Sequence, residues 1–99
     1  MTFLEQEEIK LNKIREQDRK ARENGTLIGR LLSFQIYDGF ARYQIEEELP
    51  NNEYKLKYID FMDGYTEPVI EYMERIVPKK LIDNYFRVQE KLKKLLGKD

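Results

Sequence analysis

The side chains of this chain best suited to chemistry are carboxylates. Asp60, Asp63 and Glu67 follow one another at spacings of three and four residues. Oxygen donors so close together would suit a hard cation such as calcium or magnesium. The set is incomplete, however. The spacing fills no EF-hand loop, turn chemistry accounts for Asp63, and Asp60 near a strand end can stay hydrated. A second constellation interleaves cations with rings: Arg30, Arg42, Lys55 and Lys57 with Tyr37, Phe40 and Tyr65. Bases stack on rings and phosphates meet cations in single-strand binding, so this pattern could hold nucleic acid.

Other chemistries lack their parts. The sequence has no Cys and no His, which removes disulfides, thiolate nucleophiles, zinc-thiolate sites and the usual general base. Ser33 therefore has no His to activate it. Gly25 and Gly29 lack the Gly-Lys that completes a phosphate-binding loop. The expectation is a protein that is not an enzyme, with no catalytic residue, no cofactor and no metal.

Composition sets the scale. The 99 residues suffice for one domain, 1–99, with a modest core; 40 % are hydrophobic and 37 % charged. A net charge of −1 gives no overall field toward nucleic acid. The opening MTFLEQEEIK carries neither a basic nor an apolar leader region, and no apolar run approaches membrane-spanning length. These features predict a soluble, cytoplasmic chain.

Three kinds of element must position these side chains. Residues 2–24 read as a helix, with Thr2 and Glu5 as a capping box and Asn24-Gly25 as the stop. Its apolar stripe, Leu4, Leu11, Ile14 and Ala21, is thin. The first half is expected to pack and the second to project into solvent. Residues 27–62 read as a three-stranded antiparallel meander. Asp38-Gly39 is expected to form a two-residue type I′ loop in which Tyr37 pairs with Phe40. Phe34 then faces Tyr43, Ile36 faces Ala41 and Leu32 faces Ile45. A turn at LPNNE (49–53) joins the third strand, 54–62. That register sets Ile45 opposite Tyr58, Tyr43 opposite Asp60, Glu46 opposite Lys57 and Glu48 opposite Lys55, with Arg30 beside Glu47. Paired in this way, the strand cations make poor phosphate clamps.

For 66–77 the helical spacing of Val69, Ile70, Met73, Ile76 and Val77 favours a short helix capped by Thr66. The alternative is a fourth strand turning at Asp63-Gly64, with Glu71 beside Leu56 and Ile70 beside Lys57. A last helix, 78–96, opens at Pro78. Leu81, Tyr85, Val88, Leu92 and Leu95 are spaced four, three, four and three residues, as in a helix–helix seam. Residues 79–98 hold seven Lys or Arg against Asp83 and Glu90. The fold class is α+β: an N-terminal helix, an antiparallel meander of three strands or four, and one or two C-terminal helices.

Two surfaces follow. The second sheet face presents Leu31, Gln35, Arg42, Gln44, Ile59 and Phe61, covered by a helix or left open for a partner. The C-terminal seam of Leu81, Tyr85, Val88 and Leu92 could pack within the chain or form a homodimer through 79–96. A membrane partner is not expected, because the basic helix lacks a broad bare apolar face.

Gly29-Arg30, Asp38-Gly39-Phe40-Ala41 and Asp63-Gly64-Tyr65 together resemble a pattern in small, uncharacterised proteins of bacterial phages and mobile elements. The resemblance covers the middle half of the chain. It implies a phage or prophage accessory protein and carries over no activity and no site residue. The leading expectation is a non-enzymatic protein-interaction module, a regulator or inhibitor of a host protein. The alternatives are a small nucleic-acid-binding domain using the strand face, and a structural subunit assembling through the C-terminal helix.

Overall fold

A computed structural model of the chain describes residues 2–36, 38–62, 64 and 74–97. The elements are α1 (Phe3–Asn24), β1 (Leu31–Ile36), β2 (Gly39–Leu49), β3 (Glu53–Met62), β4 (Glu74–Pro78) and α2 (Lys79–Leu95). The fold is α+β, with four antiparallel strands in the order β1-β2-β3-β4 forming a curled sheet.

Alternation along the strands builds the core on the inner face of that sheet. Leu32, Ala41, Tyr43, Ile45, Tyr54, Leu56 and Val77 are buried there, and Ile82 of α2 closes the cluster. Phe34, Tyr43 and Tyr58 turn to one interior, as the pleat requires. The Phe34 and Tyr43 ring centres lie 5.9 Å apart, and those of Tyr43 and Tyr58 5.8 Å, both edge to face. Such ring pairs add to stability beyond the area they bury.

The registers depart from the sequence expectation in ways that matter for the surfaces. In the first hairpin Ile36 pairs with Gly39, Gln35 with Phe40, Phe34 with Ala41 and Leu32 with Tyr43. This is a slip of two residues, which preserves the facing because the pleat repeats every two. Gly39 begins β2 and is not among the positive-φ glycines, so the type I′ loop at Asp38-Gly39 does not form. Space makes the glycine necessary instead. A Cβ at Gly39 would lie 2.5 Å from the Met62 carbonyl oxygen and 2.7 Å from the Phe61 ring. A Cβ at Gly64 would be equally confined, 2.6 Å from the Phe61 ring and 2.7 Å from Asp38 Oδ1. The glycines of the two Asp-Gly motifs thus meet around one ring.

Between β2 and β3 the ladder shifts twice, at Glu46 and at Ile59. Each bulge inserts an extra residue and changes which side chains share a face. Tyr43 therefore pairs with Tyr58 and Ile45 with Leu56, while Arg42 pairs with Asp60. Glu47 pairs with Lys55 and Glu48 with Tyr54, so the expected Glu46–Lys57 and Glu48–Lys55 pairs are not formed. The turn at Pro50 has Asn51 and Asn52 both left-handed, at φ 68° and 59°, a conformation that Asn tolerates better than most residues.

The preferred short helix over 66–77 is corrected where the chain is described. Glu74–Pro78 is a strand, pairing Tyr54 with Val77 and Leu56 with Arg75. That register is four residues from the one set out for the alternative strand. Val77 gains burial beside Tyr54, and the β3 ladder gains partners that an isolated helix would leave unpaired. Thr66, Glu67, Pro68, Val69, Ile70 and Met73, like Tyr37, Asp63 and Tyr65, lie outside the described residues.

Both helices attach near β1, by different means. α1 begins with Thr2 Oγ1 accepting the Glu5 N–H at 3.2 Å and ends at Gly25 with φ 70°. Its packed face runs Glu7, Leu11, Ile14, Asp18 and Ala21, with Ile14 and Ala21 buried. Leu4 is 77 % exposed. The expected halves are thus reversed: the second half buries Ile14 and Ala21, and Gln17 and Asp18 tie it to the sheet. On the exposed side Arg19 bridges Glu16 and Glu23. α2 follows Pro78 directly, and its first N–H, from Lys79, reaches the Asn52 carbonyl at 2.8 Å. Among the described residues no helix is long and apolar enough to cross a membrane.

Candidate functional site

The outer sheet face is engaged by its own chain. Arg42 donates two hydrogen bonds to Asp60, Nε to Oδ1 and Nη2 to Oδ2, each 2.6 Å. The bulge at Ile59 makes this fork possible by bringing Asp60 onto the Arg42 side. The bonded Asp60 raises the Arg42 pKa above its ordinary value. Gln44 Nε2 donates to Gln17 Oε1 of α1 at 2.9 Å and to the Gly29 carbonyl at 3.1 Å. Ile59 is half-buried. Phe61, expected on this face, lies on the inner one against the core, since the same bulge reverses it. Arg42 and Gln44 therefore serve the fold as a tie across strands and a tie to a helix. The face is covered at the α1 end, while Phe40 and Met62 near the hairpin remain 42 % and 40 % exposed.

Arg30 does not reach Glu47. Its guanidinium lies 4.3 Å above the Phe86 ring of α2, with Nε 3.4 Å from Asp18 Oδ1 of α1. Asp18 also accepts the Leu31 N–H at 2.9 Å, and the Tyr85 hydroxyl accepts the Ser33 N–H at 3.0 Å. These two bonds cap the N–H groups of Leu31 and Ser33 on edge strand β1, which an open edge would offer to other chains. A groove of about 670 Å3 runs between the helices, lined by Asp18, Arg22, Arg30, Asp83, Phe86 and Glu90 among others. Its cations and acids balance. Lys55 lies 3.7 Å from Glu46. Among the described residues no three metal-binding side chains cluster, and Asp63 and Glu67 lie outside them.

α2 divides along its length. Leu81, Tyr85 and Phe86 pack against the core and Ile82 is fully buried. Beyond Phe86 the helix passes the sheet. Val88 is 53 % exposed, Leu92 45 %, Leu95 81 % and Leu96 69 %. The expected seam therefore splits: Leu81 and Tyr85 are part of the fold, and Val88 and Leu92 are surface. At 3.6 residues per turn, Lys80, Arg87, Lys91 and Lys94 form a row along one flank of that stripe. All four are exposed, and none has an ion-pair partner among the described residues. The acids of the helix, Asp83 and Glu90, line the groove toward α1 instead.

Sequence reasoning missed Ile82, Phe86 and the bond from Leu31 N–H to Asp18. The i, i+4 pair Ile82–Phe86 beside the seam could have revealed the buried face. Nothing local marks Asp18 as the cap of a strand thirteen residues away. Comparison with protein-family models, with curated proteins and with solved structures finds no match to this chain.

Proposed function

We propose that the chain is a non-enzymatic protein-interaction module that docks a protein partner through the outward stripe of α2. One observation carries this reading. Val88, Leu92, Leu95 and Leu96 stay in solvent beside a row of cations that have no ion-pair partner among the described residues. A contiguous apolar patch with a charged rim is a common form of recognition surface. The strand-face reading for nucleic acid is less well supported, because Arg42 is hydrogen-bonded to Asp60 and Arg30 is ion-paired with Asp18. In the setting implied by the resemblance to phage and mobile-element proteins, the partner would be a host protein that the module regulates or inhibits.

The test compares capture from lysate by the full wild-type chain, Leu92→Asp and Gln44→Ala. Proteins held by the wild type should be lost with Leu92→Asp and kept with Gln44→Ala, at unchanged circular dichroism. Capture that survives Leu92→Asp would remove the α2 stripe as the docking surface.

A further inference from the structure

α1 opens with a surface complementary to the α2 stripe, and the two surfaces of one chain do not cover each other. Phe3 and Leu4 are 73 % and 77 % exposed, and Leu95 and Leu96 81 % and 69 %. Around Phe3 and Leu4 the first turns of α1 carry Glu5, Glu7 and Glu8 and no cation before Lys10. On the helical wheel Glu5 and Glu8 flank Leu4 as Lys91 and Lys94 flank Leu95. Each patch spans about two turns, roughly 10 Å.

Resting on the reading of the α2 stripe as a docking surface, we infer that the stripe takes the acidic first turns of α1 from a second copy of this chain. A two-fold pair buries the contact twice, each copy giving one α1 end and receiving one. Run antiparallel, Phe3 and Leu4 meet Leu95 and Leu96, the glutamates meet the lysine row, and the positive helix N-terminus lies beside the negative C-terminus. Pairing α2 with α2 would instead set Arg87, Lys91 and Lys94 near their own copies, and like charges facing each other across an interface are strongly disfavoured.

Light scattering on the full chain across a concentration series, with two charge-reversed variants, tests this pairing. Glu5→Lys/Glu8→Lys and Lys91→Glu/Lys94→Glu should each self-associate about tenfold more weakly than wild type, or worse. Mixed in equal amounts they should form a heterodimer, because both contacts between them are again complementary. That recovery also shows that neither variant merely fails to fold. A wild-type chain that stays monomeric at high concentration overturns the inference. So does wild-type-like dimerisation of Glu5→Lys/Glu8→Lys, which α2–α2 pairing would give. Either result leaves the docking reading standing if Leu92→Asp still abolishes capture of other proteins.

Discussion

The two helices flank the same edge strand, yet they are held by different physics. α2 is anchored by burial: Ile82 is fully enclosed, with Leu81, Tyr85 and Phe86 packed around it. α1 buries only Ile14 and Ala21, and is tied through Asp18 to Leu31 and through Gln17 to Gln44. Apolar burial is non-directional and scales with area, whereas a hydrogen bond contributes little net but costs much when one buried partner is removed. α2 should therefore fail with the whole fold, and α1 should open alone.

The strongest challenge to this contrast is Ile82→Ala. Removing a fully buried aliphatic side chain should destabilise the protein by about 2–5 kcal/mol, read as a lowered midpoint in chemical denaturation. Asp18→Ala comes next, at about 1–3 kcal/mol, because it strips the acceptor from the half-buried Leu31 N–H and the partner from Arg30. Hydrogen exchange should then quicken along α1 before the β2–β3 amides respond. Equal acceleration in both would mean that α1 is not a separate unit.

A smaller effect concerns the start of α2. Lys79 lies 2.6 Å from Glu48, and that bond holds the Glu48 carboxyl below its ordinary pKa. A depressed folded-state pKa gives stability that is present above the unfolded value, about 4.3, and is lost as pH falls through the lower folded one. Glu48→Gln should flatten the acid limb of a stability-against-pH profile, and added salt should shrink the difference. At the alkaline end burial raises the Tyr43 pKa. Its contribution is complete below about pH 10 and is lost as pH rises through the higher folded value. The smallest expected effect is that of Leu92→Asp, within about 0.5 kcal/mol of wild type, since this side chain belongs to the part of α2 beyond the sheet. A large loss of stability there would mean that the stripe is core.

Facing was legible in the chain where periodicity encodes it. Leu32, Phe34, Ala41, Tyr43 and Ile45 share a face in any register that moves by two, so the slip in the first hairpin cost the interior nothing. Register itself was not legible. The expected two-residue loop at Asp38-Gly39 rested on a backbone preference, whereas Gly39 is required by the closeness of Phe61 and Met62. The bulge at Ile59 was equally hidden, and it moves Phe61 to the inner face and Asp60 to Arg42. Of the candidate surface residues, Val88 and Leu92 are exposed on α2, while Arg42, Gln44, Leu81 and Tyr85 are taken up by the fold.

By itself, then, the sequence determined the α+β class, the two long helices, the meander and the aromatic interior, because apolar spacing and end signals are local properties of the chain. Tertiary structure decided the strand at Glu74–Pro78, the attachment of α1 through Asp18, and where along α2 the core ends. Each of these depends on which groups lie opposite one another in space. An unpaired strand edge, an orphan N–H or the end of a sheet exists only once the remainder of the chain has folded against it.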